Sequence, residues 1–165
     1  MLQWLKNTIV NVFALRRPKP IDLLLSILLA AIVGTGASFL LNFLVDRFPS
    51  KPPVGLKNLS EMIASGNGLV LVSFILAVCV IAPIIEEVIF RGILWRLIEK
   101  LISTNVAWIA TSFMFAAAHG DILHIIAVFP LGILFGYLRK KTNNIWAPIV
   151  AHAANDLLAS LTLIF

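Results

Sequence analysis

The chain has 165 residues, of which 60% are hydrophobic and only 13% are charged, and its mean hydropathy is +0.99. Soluble globular domains carry about 25% charged residues, so this composition excludes that class and indicates a membrane protein of one domain. Alternating ten-residue strands, the mark of a transmembrane β-barrel, are absent from the sequence. We therefore expect an all-α, polytopic transmembrane helical bundle with about five spans and an N-terminal interfacial helix.

The net charge is +5, and the Lys and Arg residues cluster at the ends of apolar segments. This placement favours a membrane-topology signal over nucleic-acid binding, so we expect a lipid bilayer and no nucleic acid as partner. With the N-terminus inside, nine basic residues lie on one side and three on the other, once Arg91 is set aside as a site residue. The bias predicts a cytoplasmic N-terminus, and we expect an integral protein of a prokaryotic cytoplasmic membrane. The sequence does not indicate which oligomeric state the protein adopts.

The first element in chain order is an amphipathic N-terminal segment, residues 1–20. Apolar residues within 2–15 share one helical face, which is typical of an interfacial helix, although a frayed terminus fits the pattern equally. Basic residues and two prolines between Arg16 and Pro20 end that helix at the membrane surface.

A single transmembrane domain, residues 21–165, follows. Long apolar runs predict spans at 21–45, 69–90, 104–118, 122–138 and 145–165.

The connections between these spans are polar or amphipathic. Residues 46–67 are predicted to form a loop with one short helix near 59–64. Residues 91–103 are predicted to continue the second span along the membrane surface. Pro83 is expected to kink that second span, because proline removes a backbone hydrogen bond.

A few ionisable or amide side chains lie inside the predicted spans. Charge in hydrocarbon costs a few kcal/mol per residue on insertion scales, and such residues usually face the bundle interior and pair with one another. One shared polar cavity would satisfy all of them, whereas separate burial would leave charges unpaired. The residues are Glu86, Glu87, Arg91, His119, His152, Asn155 and Asp156.

Helical spacing assigns different environments to the two glutamates. Glu87 and Arg91 are four residues apart and can pair, while Glu86 lies about 100° round the helix. Glu86 is then free to act as a general base, with Glu87 and Arg91 supporting the site. A purely structural Glu87–Arg91 pair, and a Glu86 carboxylate that merely reaches water, are the alternatives.

The histidines belong to later spans. His119 follows three alanines, which would let another helix approach. His152 and Asp156 share a helical face, so Asp156 can accept a hydrogen bond from the imidazole, and Asn155 can face the same cavity. Glu86, His119 and His152 could also supply three ligands to Zn²⁺, but no HExxH helix is present, so we expect no metal cofactor.

Three motifs in this order resemble those of the CAAX protease and bacteriocin-processing (CPBP, or Abi) family of intramembrane endopeptidases. The EExxxR, FxxxH and HxxxN or HxxxD motifs are matched by Glu86 to Arg91, Phe115 to His119 and His152 to Asp156. The region resembling the protease core is 69–165.

The resemblance implies a membrane protease that hydrolyses a peptide bond of a membrane-associated protein or peptide. It implies that Glu86 activates water and that His119 polarises the carbonyl or stabilises the oxyanion. It also implies that His152, with Asp156 or Asn155, completes the cavity. The family is described both as glutamate-dependent and as metallo-enzymes, and the sparse ligand set favours glutamate.

Two other functions fit the same pattern. One is a non-catalytic bacteriocin-immunity or scaffold protein of the same family, which would keep its function without Glu86. The other is a proton-coupled transporter, which would also use intramembrane Glu and His. Transporters usually show inverted repeats and more spans, and neither is seen in this sequence.

Overall fold

The structure is a computed structural model that describes residues 14–48 and 67–164. These residues contain no β-strand, which confirms the predicted all-α class. Most of the predicted N-terminal helix and all of the short helix near 59–64 lie outside the described residues. The five helices of the described part are α1 (Pro20–Arg47), α2 (Gly68–Leu101), α3 (Thr104–Ala117), α4 (Ile122–Thr142) and α5 (Trp146–Ile164).

Three of these helices, α1, α2 and α4, are long and apolar enough to cross a membrane. Helix α3 is apolar but has only 14 residues, or about 21 Å at 1.5 Å per residue, against a hydrocarbon core of about 30 Å. The protein is therefore an α-helical membrane protein, as expected. The number of five spans remains a prediction.

Helix α2 is one continuous element that covers the predicted span at 69–90 and most of its predicted continuation at 91–103. It contains two π-helical stretches, Ala77–Ile81 and Val88–Leu94. The first stretch directly precedes the buried Pro83, whose missing N–H already interrupts the regular ladder of hydrogen bonds. The two wide turns bracket the acidic pair and set the direction in which its side chains point.

Glycines let the helices approach closely at two places in the bundle. A methyl group on Gly132 of α4 would lie 2.8 Å from the carbonyl oxygen of Ser112 on α3. A methyl group on Gly34 of α1 would overlap the side-chain amide oxygen of Asn155 on α5. These contacts pack α3 against α4 and α1 against α5, and Phe115 and Phe135 lie in the core of the bundle.

Candidate active site

Helix α2 presents two adjacent carboxylates to different surroundings. The side chain of Glu87 is completely buried, whereas that of Glu86 is 35% exposed. Successive helical residues point about 100° apart, so only one of the pair can face the interior of the bundle. This placement agrees with the separation of environments that the sequence predicts.

A buried ion pair joins Glu87 to Arg91 within α2. The Nη1 atom of Arg91 donates to Oε1 of Glu87 at 3.0 Å, and both side chains are fully buried. The Nη2 atom of Arg91 donates to the carbonyl oxygen of Gly132 at 2.9 Å. The guanidinium carbon lies 4.6 Å from the centre of the Phe115 ring, which adds a cation–π contact in a desolvated place. These contacts link α2 to α3 and α4.

His152 brings α5 to the same carboxylates. Its Nδ1 atom lies 3.2 Å from Oε1 of Glu87, and its Nε2 atom lies 3.4 Å from Asp156 and 3.9 Å from Glu86. The imidazole is almost fully buried and stacks on Phe135, with 4.8 Å between ring centres. Both nitrogens can donate to carboxylates at once only when the ring is an imidazolium.

Asn155 and Asp156 act as one unit in this arrangement. The Asn155 amide donates to Oδ1 of Asp156 at 3.2 Å, while the other oxygen of Asp156 faces His152. Asp156 therefore contacts the histidine directly, and Asn155 orients Asp156. Both candidates for the last position of the third motif therefore belong to this cluster, Asp156 in contact with His152 and Asn155 behind Asp156.

His119 lies at the rim of the cluster, just after α3. Its Nδ1 atom lies 3.0 Å from the carbonyl oxygen of Phe115, and its ring is exposed. The Phe115 ring stands edge-on to His119 at 5.1 Å and to His152 at 5.3 Å between centres. No ion pair joins His119 to Glu86 in the described part of the chain. The structure thus brings Glu86, His152 and Asp156 into direct proximity and connects His119 to them through Phe115.

The turn after His119 has its own fixed geometry. Gly120 has φ +78°, a conformation that L side chains rarely adopt, and Asp121 caps the start of α4. The carboxylate of Asp121 accepts from the Leu123 N–H at 2.9 Å and faces His124 at 3.1 Å, and these bonds hold the pKa of Asp121 below its usual value. His124 is therefore engaged in this turn.

Sequence reasoning missed three contributors to the site. Gly132 supplies a carbonyl oxygen to Arg91, Ser112 donates to that same oxygen at 2.8 Å, and Phe135 stacks on His152. Gly132 and Gly136 are four residues apart, a spacing of small residues that could have indicated close helix packing on α4. Phe135 carries no signal of its own, because an apolar residue in an apolar helix is indistinguishable from core.

The sequence offers Glu86, His119 and His152 as alternative ligands for Zn²⁺, and the structure shows how these three residues are placed. Within the described residues, no three His, Cys, Asp or Glu side chains are grouped to hold a metal ion. Both nitrogens of His152 face carboxylates, and His119 lies at the rim of the cluster with its Nδ1 atom against the Phe115 carbonyl oxygen. These residues do not fit a three-ligand zinc site as placed, and metal independence remains a prediction.

A family model described as type II CAAX prenyl endopeptidase Rce1-like matches residues 68–158, more than half of the chain. YdiL of Bacillus subtilis (strain 168), named as a candidate membrane peptidase, is 33% identical over 73 residues, which are 44% of this chain and 30% of YdiL. MroQ of Staphylococcus aureus (strain USA300), named as a membrane-embedded CAAX protease, is 31% identical over 85 residues, which are 48% of this chain and 34% of MroQ.

The chain thus spans about a third of the length of these two relatives. No solved structure matches it. The matched region contains all three motifs, from Glu86 to Asp156, so it includes the cluster described above. The resemblance that the motifs indicate is confirmed, and the chain belongs to the type II CAAX prenyl endopeptidase Rce1-like family.

Proposed function

We propose that this protein is an intramembrane endopeptidase in which Glu86 is the general base. The observation that carries the proposal is the contrast between two adjacent carboxylates. Glu87 is fully buried and engaged by Arg91 and His152, whereas Glu86 is 35% exposed and, within the described residues, is paired with His152 alone, at 3.9 Å. Glu86 therefore keeps lone pairs available to accept a proton from water. Membership of a protease family supports the same class of reaction.

The proposed reaction is hydrolysis of a peptide bond in a membrane-associated protein or peptide. Glu86 takes a proton from a water molecule, and the water oxygen forms a bond to the carbonyl carbon. The resulting oxyanion needs a hydrogen-bond donor near the developing charge. Glu86 then returns the proton to the amide nitrogen while the carbon–nitrogen bond breaks, which leaves a carboxylic acid and an amine.

The histidines have separate proposed tasks. The Nδ1 atom of His119 is occupied by the Phe115 carbonyl oxygen, so Nε2 is the nitrogen available to an oxyanion. His119 would donate from Nε2 as an imidazolium. His152 is held between carboxylates and positions Glu86 through its Nε2 atom, while Asp156 fixes His152. No step is assigned to a metal ion.

The test uses purified protein in proteoliposomes and two fluorogenic reporters. The peptide reporter is a non-prenylated hydrophobic peptide of about 20 residues, long enough to span a bilayer. The prenyl reporter is a peptide with a farnesylated CAAX terminus. We expect wild type to cleave at least one reporter and Glu86→Gln to lose cleavage by a factor of at least 100, because the amide cannot accept the water proton.

Glu99→Gln is the matched control. Glu99 lies on the same helix and is partly exposed, but it pairs with Arg96 away from the cluster. This variant should retain wild-type cleavage, and all three proteins should elute identically on size exclusion. Cleavage by Glu86→Gln at the wild-type rate would contradict the assignment of Glu86 as the base. Absence of cleavage of both reporters by wild type would favour the non-catalytic scaffold function.

A further inference from the structure

A cavity of about 390 Å³ lies between α1 and α5, next to the candidate active site. This volume falls in the range of ligand-binding pockets. Its lining is unusual for the surface of a membrane helix, because five of the side chains carry a hydroxyl or an amide. They are Thr35, Ser38 and Asn42 on α1 and Asn155 and Thr162 on α5.

The polar residues of α1 form one stripe. Thr35, Ser38 and Asn42 are three and four residues apart, so they share a helical face that is about 10 Å long. The Thr35 hydroxyl donates to the carbonyl oxygen of Ala31 at 2.7 Å. No hydrogen bond ties Ser38 or Asn42 to another residue in the described ranges. Polar groups at membrane depth are costly without a partner, so the stripe indicates a polar occupant.

The cavity borders the reacting cluster at Asn155. Asn155 lines it and donates to Asp156, which lies 3.4 Å from His152, which in turn lies 3.9 Å from Glu86. At the Gly34 position α1 touches Asn155 directly, because a side chain there would overlap the amide oxygen. An occupant of the cavity would therefore contact Asn155, which orients Asp156 beside His152.

We propose that this cavity, together with the polar stripe of α1, binds the main chain of the polypeptide substrate beside the bond to be cut. The inference rests on the proposed protease function. Peptide N–H and C=O groups match the hydroxyl and amide lining, whereas an isoprenoid chain offers no hydrogen-bond partner. Small residues on both walls, Ala31 and Ala159, leave room for a backbone to approach. The substrate recognised here is a peptide segment and not a prenyl group.

Helix α1 forms one wall of the cavity, and it lies outside residues 68–158, which the family model matches. Substitution of Ser38 tests it without disturbing the core, because Ser38 is exposed. We expect Ser38→Leu to raise KM for the peptide reporter about tenfold with kcat nearly unchanged, since Leu fills the groove and removes a hydrogen-bonding group. Ile32→Leu is the control, because Ile32 is 70% exposed on α1 and does not line the cavity.

If the inference is wrong, Ser38→Leu should change KM for the prenyl reporter in the opposite direction. A farnesyl chain seated in the cavity would bind more tightly when Ser38 becomes apolar, so a lower KM for that reporter in Ser38→Leu would overturn the proposal. An unchanged KM for the peptide reporter would overturn it as well.

Cross-linking separates this inference from the protease proposal, because it requires no cleavage. Ser38→Cys and Ile32→Cys are each made in a Cys79→Ala, Glu86→Gln background and mixed with a peptide reporter that carries one cysteine. We expect a disulfide with position 38 at least five times more often than with position 32. Equal cross-linking yields at positions 38 and 32 would overturn the proposed substrate site even if wild type cleaves the reporter. A selective cross-link without any cleavage by wild type would instead overturn the protease function.

Discussion

Glu87 and His152 are 65 positions apart in the sequence, yet Oε1 of Glu87 lies 3.2 Å from Nδ1 of His152. The same oxygen accepts from Nη1 of Arg91 at 3.0 Å. One carboxylate oxygen thus contacts a guanidinium and an imidazole from two helices, and neither Glu87 nor Arg91 is exposed. Glu87 therefore has the geometry of a support for the cluster, and its neighbour Glu86 has that of a reacting group.

Removal of the Glu87 charge should destabilise the fold. Glu87→Gln leaves the Arg91 guanidinium buried without a counter-charge, and breaking a buried pair in this way costs about 3–5 kcal/mol. We expect a clearly lower melting temperature in detergent and a lower yield of folded protein. Differential scanning fluorimetry of the purified variants provides the measurement.

The Arg96–Glu99 pair supplies the comparison for that experiment. It lies on the same helix but is partly exposed, at 35% and 24% for the two side chains. Exposed pairs contribute about 0–1 kcal/mol, so Glu99→Gln should leave the melting temperature nearly unchanged. Equal melting temperatures for Glu87→Gln and Glu99→Gln would refute the supporting role of Glu87.

Packing of α3 against α4 should depend on Gly132. In Gly132→Ala the new methyl group would lie 2.8 Å from the Ser112 carbonyl oxygen, so the helices must separate. Overpacking of this kind costs about 1–3 kcal/mol. Gly36→Ala is the control, since nothing lies within 4 Å of a methyl group there. Thermal unfolding should rank Gly132→Ala below wild type and Gly36→Ala at or above it, and the reverse order would contradict the packing described.

Activity should not need a bound metal ion. Glu86, His119 and His152 are not grouped as three ligands in the described structure, and His152 is occupied by carboxylates at both nitrogens. Cleavage after exhaustive chelation should stay within about twofold of the untreated rate, with elemental analysis run in parallel. One equivalent of metal whose removal and return switch cleavage off and on would identify a metalloprotease.

The N-terminus should face the cytoplasm. The nine-to-three bias of basic residues between the two predicted sides motivates this orientation. Reporter fusions at residues 1 and 165 should lie on opposite sides, with the first inside. An extracytoplasmic signal from the fusion at residue 1 would disprove the orientation, and the same side for both fusions would disprove the five-span topology.

Local relationships in this fold were readable from the sequence, and relationships between helices were not. The Glu87–Arg91 pair follows from a spacing of four residues within one helix. The bond between Glu87 and His152 depends on how α2 and α5 pack, which no pattern within either helix specifies. The continuation of α2 past Arg91 was predicted as well, whereas the bond from Arg91 to the Gly132 carbonyl oxygen on α4 was not.

The carbonyl oxygen of Gly132 accepts from Arg91 of α2 and from Ser112 of α3, so one atom of α4 joins three helices. Local opening of any one of these helices would break a hydrogen bond to this oxygen and leave a buried polar group without its partner. The three helices should consequently open as one cooperative unit, and their amide protons near this oxygen should exchange with deuterium at a common slow rate. Helix α1 makes no bond to this oxygen, so its amide protons can exchange faster than those near Gly132.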